Sequence, residues 1–413
     1  MPLRVFMLVL VVGCAAPQRP DSVKTGAEML VESGFRDLRG MRVGLIVNPT
    51  ARVDTTHLID LVESTPSVDL AALFGPEHGL RGTADAGEAV EDGRDKRTSV
   101  PVFSLYGDTR RPTPAMLAGL DALVFDIQDI GARFYTFIST MGLAMESAAE
   151  AGIPFFVLDR PNPLGGNSVE GFVREPSQSS FVGLYPVPVM HGMTVGELAM
   201  MIKGERMLPG LDSLDLRVVQ MSGWHRDMLW PATGLPWIRP SPNIPDFETS
   251  LIYPGAAFME GTAGSEGRGT RFPFRQIGAS WASGKALADT LNAQHLPGVR
   301  FEPISFTPRA LPGMATHPKL KDVPLDGIRY IVTDAAVFRP VDTGVYVLHA
   351  FYHQAPDSLR GSFLKKRWLS LMSGTPRLYD MVTSGATPDA IIAAWTDEVF
   401  AFETRRRPYL LYE

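Results

Sequence analysis

The sequence predicts an α/β protein: a parallel sheet covered by helices on both faces, followed by a smaller α+β region. Three observations carry this. Runs that are apolar throughout recur at residues 42–48, 68–75, 100–107, 122–129 and 154–160. Strands buried on both faces have this composition, and parallel strands require crossover connections, usually helices. Helical patterns occupy three of the gaps: 54–63, 113–120 with Pro114 in its first turn, and 137–152 closing on glycine. Finally, 413 residues is more than one hydrophobic core organises, which predicts two domains.

Taken from the N-terminus, Met1-Pro2-Leu3-Arg4 supplies one positive charge ahead of the apolar run 5–12. That run is too short to span a bilayer, which takes about 20 apolar residues. It fits the apolar part of an export signal. Val11-Val12-Gly13-Cys14 then has the pattern of a bacterial lipobox, with Cys14 as the residue to be acylated. Residues 1–14 are accordingly expected to be a lipoprotein signal peptide and 15–35 a tether. Cys14 is the only cysteine, so no disulfide forms within one chain and no thiolate serves the fold. Ala15-Ala16 behind it favour the outer membrane of a bacterial envelope, facing the periplasm.

A Rossmann-like domain is expected over 36–245. Thr194-Val195-Gly196-Glu197 is a capping box that starts a further helix. The texture changes near Pro240, and 246–413 reads as the smaller α+β domain. It holds helices near 285–294, 340–353 and 388–402 and strands at 299–306 and 328–334.

Composition excludes several function classes. Lys and Arg number 39 against 45 Asp and Glu, a formal charge of −6, so no basic stripe is available for nucleic acid. No polybasic cluster would reinforce a lipid anchor, which leaves the lipid as the only membrane attachment expected. The first strand-to-helix turn, Asn48-Pro49-Thr50-Ala51-Arg52, lacks the glycines that let backbone approach a pyrophosphate, so no dinucleotide is indicated. No His, Asp and Glu spacing suggests a metal, and no cofactor is expected. Ser139 and Ser265 lack the Gly-x-Ser-x-Gly elbow of α/β hydrolases.

In parallel α/β sheets, ligands bind outside the carboxyl ends of the strands. Those ends carry Asn48, then Glu77-His78, Tyr106, Asp126-Gln128-Asp129, and Asp159-Arg160 with Asn162. Gly75-Pro76-Glu77-His78-Gly79 is the sharpest motif: a turn fixed by Gly-Pro presents a carboxylate and an imidazole with glycine on both sides. A glutamate against an apolar strand end suits general acid catalysis. Alternation puts Asp126 and Gln128 on one face and Asp129 on the other, so only part of this set is expected in a cleft. Asp129 and Arg133 can equally be a structural ion pair. Ser265-Glu266-Gly267-Arg268-Gly269-Thr270 has the makings of an anion or sugar clamp, with backbone N–H groups beside a guanidinium. His191 sits before the Thr194 cap. Trp224, Trp230 and Trp237 suit core packing better than sugar stacking.

Together these motifs resemble the NamZ family of exo-β-N-acetylmuramidases. The resemblance rests on Phe74-Gly75-Pro76-Glu77-His78-Gly79, Ser104-Leu105-Tyr106-Gly107, 126–133, Asp159-Arg160-Pro161-Asn162-Pro163, His191-Gly192-Met193-Thr194, Pro240-Ser241-Pro242-Asn243 and Glu266-Gly267-Arg268-Gly269-Thr270. It departs at Ala263-Gly264 and fits loosely over 314–326. The resemblance implies a cleft between two domains, release of N-acetylmuramic acid from the non-reducing ends of peptidoglycan fragments, and a catalytic role for Glu77. Glu77 is expected to protonate the leaving oxygen. The expected catalytic set is Glu77, His78, Asp126 and Asp129, with Glu260 and Glu266 as further candidates for the second group. The substrate's own acetamido group is the alternative to a second carboxylate. Substrate contacts are expected from Asn48, Arg133, Tyr135, Asn162, His191, Glu266 and Arg268. Arg133, Arg268 or His191 would meet the lactyl carboxylate of muramic acid. The rival expectation is a peptidoglycan-binding lipoprotein that captures such saccharides without turning them over.

Overall fold

The computed structural model describes residues 22–77, 79–80, 93–107 and 109–413. The expected signal peptide, Cys14, residues 15–21 of the expected tether, and His78 lie outside the described residues. From Ser22 onward the chain is not the expected tether, because Gly26–Glu32 is a helix capped by Thr25 that buries Ala27 and Leu30 in the core. The centre is a sheet of six parallel strands: β1 (Arg42–Val47), β2 (Asp69–Gly75), β3 (Pro101–Ser104), β4 (Ala122–Asp126), β5 (Phe155–Leu158) and β6 (Leu216–Val219). Their spatial order is 3-2-1-4-5-6, the doubly wound order of Rossmann-like folds, with a short antiparallel strand Gly93–Arg94 on the β3 edge.

The apolar runs form this sheet because alternate residues feed opposite cores. Leu45, Val47, Leu73, Val124, Phe156 and Leu158 enter one hydrophobic cluster. Their neighbours Ile46, Ala72, Phe74, Leu123, Phe125, Phe155 and Val157 enter the other. Both faces are dry, which is why the runs are apolar throughout rather than alternating.

Four local expectations shift. The strands stop before their polar tails, β4 at Asp126 rather than Asp129. The helix expected over 54–63 starts at Leu58, because residues 52–57 form a small hairpin with Asp54 in the left-handed region (φ 51°). The helix expected over 388–402 divides into Pro388–Ala393 and Thr396–Arg406. Strand β6 had no counterpart in the sequence pattern, because an edge strand has only partial burial to impose one.

The second sheet is antiparallel, in the order β7 (Gln276–Ala279), β9 (Leu325–Val332), β8 (Val299–Phe306). Its core is continuous with one face of the first sheet: Phe134, Tyr253, Phe274, Val341 and Met372 share a single cluster. Buried polar groups also cross between the two regions. The Glu170 carboxylate accepts the Val341 and Asp342 N–H groups at 3.0 and 3.3 Å. The Arg406 guanidinium donates to the carbonyls of Gly166, His191 and Gly192 at 2.6–3.0 Å. Among the described residues no helix is long and apolar enough to cross a membrane.

Candidate active site

A cavity of about 500 Å³ opens where the two regions meet. From the first sheet it takes Glu77 after β2, Tyr106 after β3, and Phe134, Tyr135 and Thr136 after β4. The C-terminal region contributes Tyr253, Glu260, Arg268 and Phe274, and the helix Lys366–Ser373 adds Arg367, Trp368, Leu371 and Met372.

Glu77 is held by hydroxyl groups. The Thr136 hydroxyl donates to its Oε2 at 2.9 Å. Thr136 occupies the N-cap position of the helix Phe137–Ala151 without capping it, so its hydroxyl is free for this contact. Tyr106 also bonds to Glu77; burial first, then the Glu77 charge and hydrogen bond, push the phenol up to about 12, so it remains a donor at any physiological pH. The helix start adds positive potential where Glu77 is negative.

The second carboxylate of the lining is Glu260. Burial pushes its proton affinity up, opposed chiefly by the Arg268 guanidinium at 3.1 Å. Arg268 also meets Glu266 at 3.4 Å, and Lys319 reaches the other oxygen of Glu266 at 2.8 Å. Although burial opposes it, this pair of cations holds the Glu266 carboxyl below the usual range. Tyr253 stands edge-on between Tyr135, at 6.0 Å between ring centres, and Phe274, at 4.7 Å.

The residues singled out from sequence therefore divide. Glu77, Tyr135 and Arg268 line the cavity, together with Glu260. Glu266 lies behind Arg268 as its counter-ion. The clamp expected at 265–270 is present in altered form: Gly267 and Gly269 take left-handed φ of 80° and 78°, and a Cβ on either would meet a carbonyl oxygen at 2.5–2.6 Å. The glycines thus bracket Arg268 in a tight turn, while the Gly267 N–H is taken by Ser265 Oγ rather than offered to a ligand.

Five expected site residues are absorbed by the fold instead. Asp126 is fully buried in a two-pronged ion pair with Arg160, at 2.5 and 2.9 Å, and is absent from the cavity lining. Asn48 Oδ1 accepts from the N–H and hydroxyl of Thr50, closing the turn after β1. Arg133, fully buried, donates to the carbonyls of Phe172, Val187 and Met372 at 2.7–2.9 Å; burial lowers its affinity for its proton to about 9. Asn162 bonds to Leu164 N–H and Met193 O. His191 joins them: burial, with Arg406 and Arg133 nearby, drives its imidazole down to about 3, so it is neutral, and its Nδ1 accepts the Met193 N–H. Asp129 is intermediate. It accepts the Gly131 N–H at 2.7 Å, lies behind Tyr135 and Tyr253, and burial raises it to about 7. Sequence reasoning missed Tyr253, Arg110 and Arg367 as lining residues; none of the three stands in a motif.

A paired-carboxylate cleft rimmed by aromatic rings and arginines is the kind of site that glycoside hydrolases use. Comparison with known proteins gives the family. Residues 43–248 match the N-terminal model and 251–412 the C-terminal model of the exo-β-N-acetylmuramidase NamZ, and the chain belongs to this family. It is 43% identical to the peptidoglycan β-N-acetylmuramidase NamZ of Bacillus subtilis (strain 168), over 96% of this chain and 95% of that protein. Two crystal structures of DUF1343 family proteins from Bacteroides fragilis are similar throughout. One has a TM-score of 0.87 at 39% identity, covering 96% of this chain and all of that one. The other has a TM-score of 0.77 at 31% identity, covering 95% and 99%.

Proposed function

We infer that this chain is an exo-acting β-N-acetylmuramidase, a glycoside hydrolase that releases N-acetylmuramic acid from the non-reducing ends of peptidoglycan fragments. Within the structure, the observation that carries this reading is Glu77: a carboxylate at a strand end, open to the cavity, with Thr136 and Tyr106 as hydroxyl partners. Protonated Glu77 gives its proton to the glycosidic oxygen as the bond to the anomeric carbon breaks. Thr136, Tyr106 and the helix start at Phe137 then hold the carboxylate that remains. Glu260, fixed by Arg268, faces the positive charge that develops at the anomeric carbon. Water adds its oxygen there, and its proton passes to a carboxylate.

The place proposed for the enzyme rests on the first residues. The lipobox at Val11-Val12-Gly13-Cys14 supports a lipoprotein of the bacterial envelope, attached by its lipid to the outer membrane and facing the periplasm. A Cys14→Ser variant is expected to lose incorporation of labelled fatty acid, and continued labelling removes the anchor. The domain division proposed is 36–245 and 246–413, with the cavity between them.

The activity is tested on a form beginning after Cys14, with a chromogenic β-N-acetylmuramide and its N-acetylglucosamine analogue. Release from the muramide alone supports the reading. Tight binding of a muramic acid disaccharide with no release from either would make this chain a capture protein.

A further inference from the structure

N-Acetylmuramic acid differs from N-acetylglucosamine by a lactyl ether that ends in a carboxylate, so a selective site needs a cation free to receive it. Arg133 and His191 are spent inside the fold, and Arg268 already faces Glu260 and Glu266. Two other guanidinium groups line the cavity, Arg110 and Arg367. Among the described residues neither has a carboxylate partner.

Position separates these two. Arg110 lies over the Phe181 ring at 4.6 Å and close enough to Tyr106 to oppose its raised pKa, which places it beside the Glu77 group. The lactyl ether and the scissile bond leave the sugar from different ring carbons. The cation that reads the lactyl group must therefore stand away from the acid that serves the leaving oxygen. Arg367 does so. It belongs to the C-terminal region, on a helix whose residues 367, 368, 371 and 372 all line the cavity as two i, i+4 rows. Arg367 is exposed, and Trp368 beside it keeps 38% of its surface open, unusual for so large an apolar side chain.

This helix is fixed from behind. Gly261 packs so closely on it that a Cβ would come 2.9 Å from Leu369 Cα. Arg133 Nη2 donates to the Met372 carbonyl at its end, at 2.7 Å, and Gly374, with φ +82°, lets the chain pass the same guanidinium. The arginine expected at the ligand thus braces the helix that carries another arginine to it.

We propose that Arg367 binds the lactyl carboxylate of the terminal N-acetylmuramic acid as a two-pronged ion pair, with Trp368 offering its ring face to the same sugar. A guanidinium matches the two oxygens of a carboxylate in a way an ammonium does not. The proposal rests on the muramidase reading and extends it to the group that sets selectivity.

The test compares wild type, Arg367→Ala, Arg367→Lys and Arg110→Ala on the chromogenic muramide and on its lactyl methyl ester. Binding of N-acetylmuramic acid and of its methyl ester is followed in parallel by calorimetry. Loss of a charge-assisted contact is expected to raise KM for the free acid about 10- to 100-fold in Arg367→Ala, with kcat little changed. On the ester, wild type and Arg367→Ala should be alike, and Arg367→Lys should fall between them on the acid. Melting temperature should be unaffected, because Arg367 is exposed. Acid-over-ester preference that survives in Arg367→Ala, or that disappears in Arg110→Ala instead, overturns the assignment. Should wild type turn over neither substrate yet bind acid better than ester only while Arg367 is present, the muramidase reading fails and the carboxylate assignment stands.

Discussion

Two neighbouring stretches of the same sheet edge carry similar charge and put it to opposite uses. At the carboxyl ends of β1, β4 and β5, where a doubly wound sheet reverses direction and commonly binds its ligand, Asn48, Asp126 and Arg160 are buried and bonded to one another or to adjacent backbone. Next to them, after β2 and β3, Glu77 and Tyr106 open onto the cavity. The difference lies in what covers each end. The 159–166 segment, with the carbonyl of Pro161 against Gln128, closes the switch point. The C-terminal region stands off from β2 and β3 and leaves about 500 Å³ between. Charge at a strand end therefore marks a ligand site only where its partners are incomplete; where they are complete, it is scaffold.

Substitutions at the two ends should therefore differ in kind and in size. The largest structural effect is expected from Arg133→Met, which removes the donor from three buried carbonyls. We expect a loss of about 3–5 kcal/mol of stability, measured by urea unfolding. A loss below about 1 kcal/mol would show that the buried arginine is not a brace.

A smaller effect should come from Asp129. Its folded pKa, about 7, exceeds the ordinary carboxylate value, so the folded state favours the protonated form. That contribution to stability is complete at pH below about 4 and is lost as pH rises toward 7. Asp129→Asn keeps an acceptor for the Gly131 N–H and cannot ionise. Its stability relative to wild type should rise by roughly 1–3 kcal/mol between pH 4.5 and 8. Parallel pH profiles for the two proteins would place the proton elsewhere.

The smallest effect is expected at Tyr106. Removal of its hydroxyl in Tyr106→Phe leaves Thr136 on Glu77, so kcat should fall about 10-fold with an unchanged melting temperature, since one hydrogen bond to a charged group contributes about 1.5 kcal/mol or more. An unchanged kcat would show that the Tyr106 hydroxyl does not support the acid.

Much of this architecture is legible in the sequence, because it depends on local pattern. Apolar runs and capping residues locate β1 to β5 and the helices Phe137–Ala151 and Val195–Gly204 within a few residues. Glu77 is legible because Gly75-Pro76 and Gly79 mark a tight turn at a strand end. The roles of the arginines are not. The three carbonyls on Arg133 come from residues 39, 54 and 239 positions away, a relation no local pattern records. Arg367 follows Lys365 and Lys366 and looks like one more solvated charge; only the packing of its helix over Gly261 turns it toward the cavity. Asp126 and Glu77 look alike in sequence, and only the position of Arg160 separates them.

The most direct test of the account measures Glu77→Gln and Asp126→Asn side by side, recording muramide hydrolysis per folded molecule and the unfolding midpoint. Glu77→Gln is expected to lose activity by about 10²- to 10⁴-fold with its stability intact. Asp126→Asn is expected to lose about 3–5 kcal/mol of stability while its folded fraction keeps its activity. An active Glu77→Gln, or a stable and inactive Asp126→Asn, would contradict the division between cavity and scaffold on which the mechanism rests.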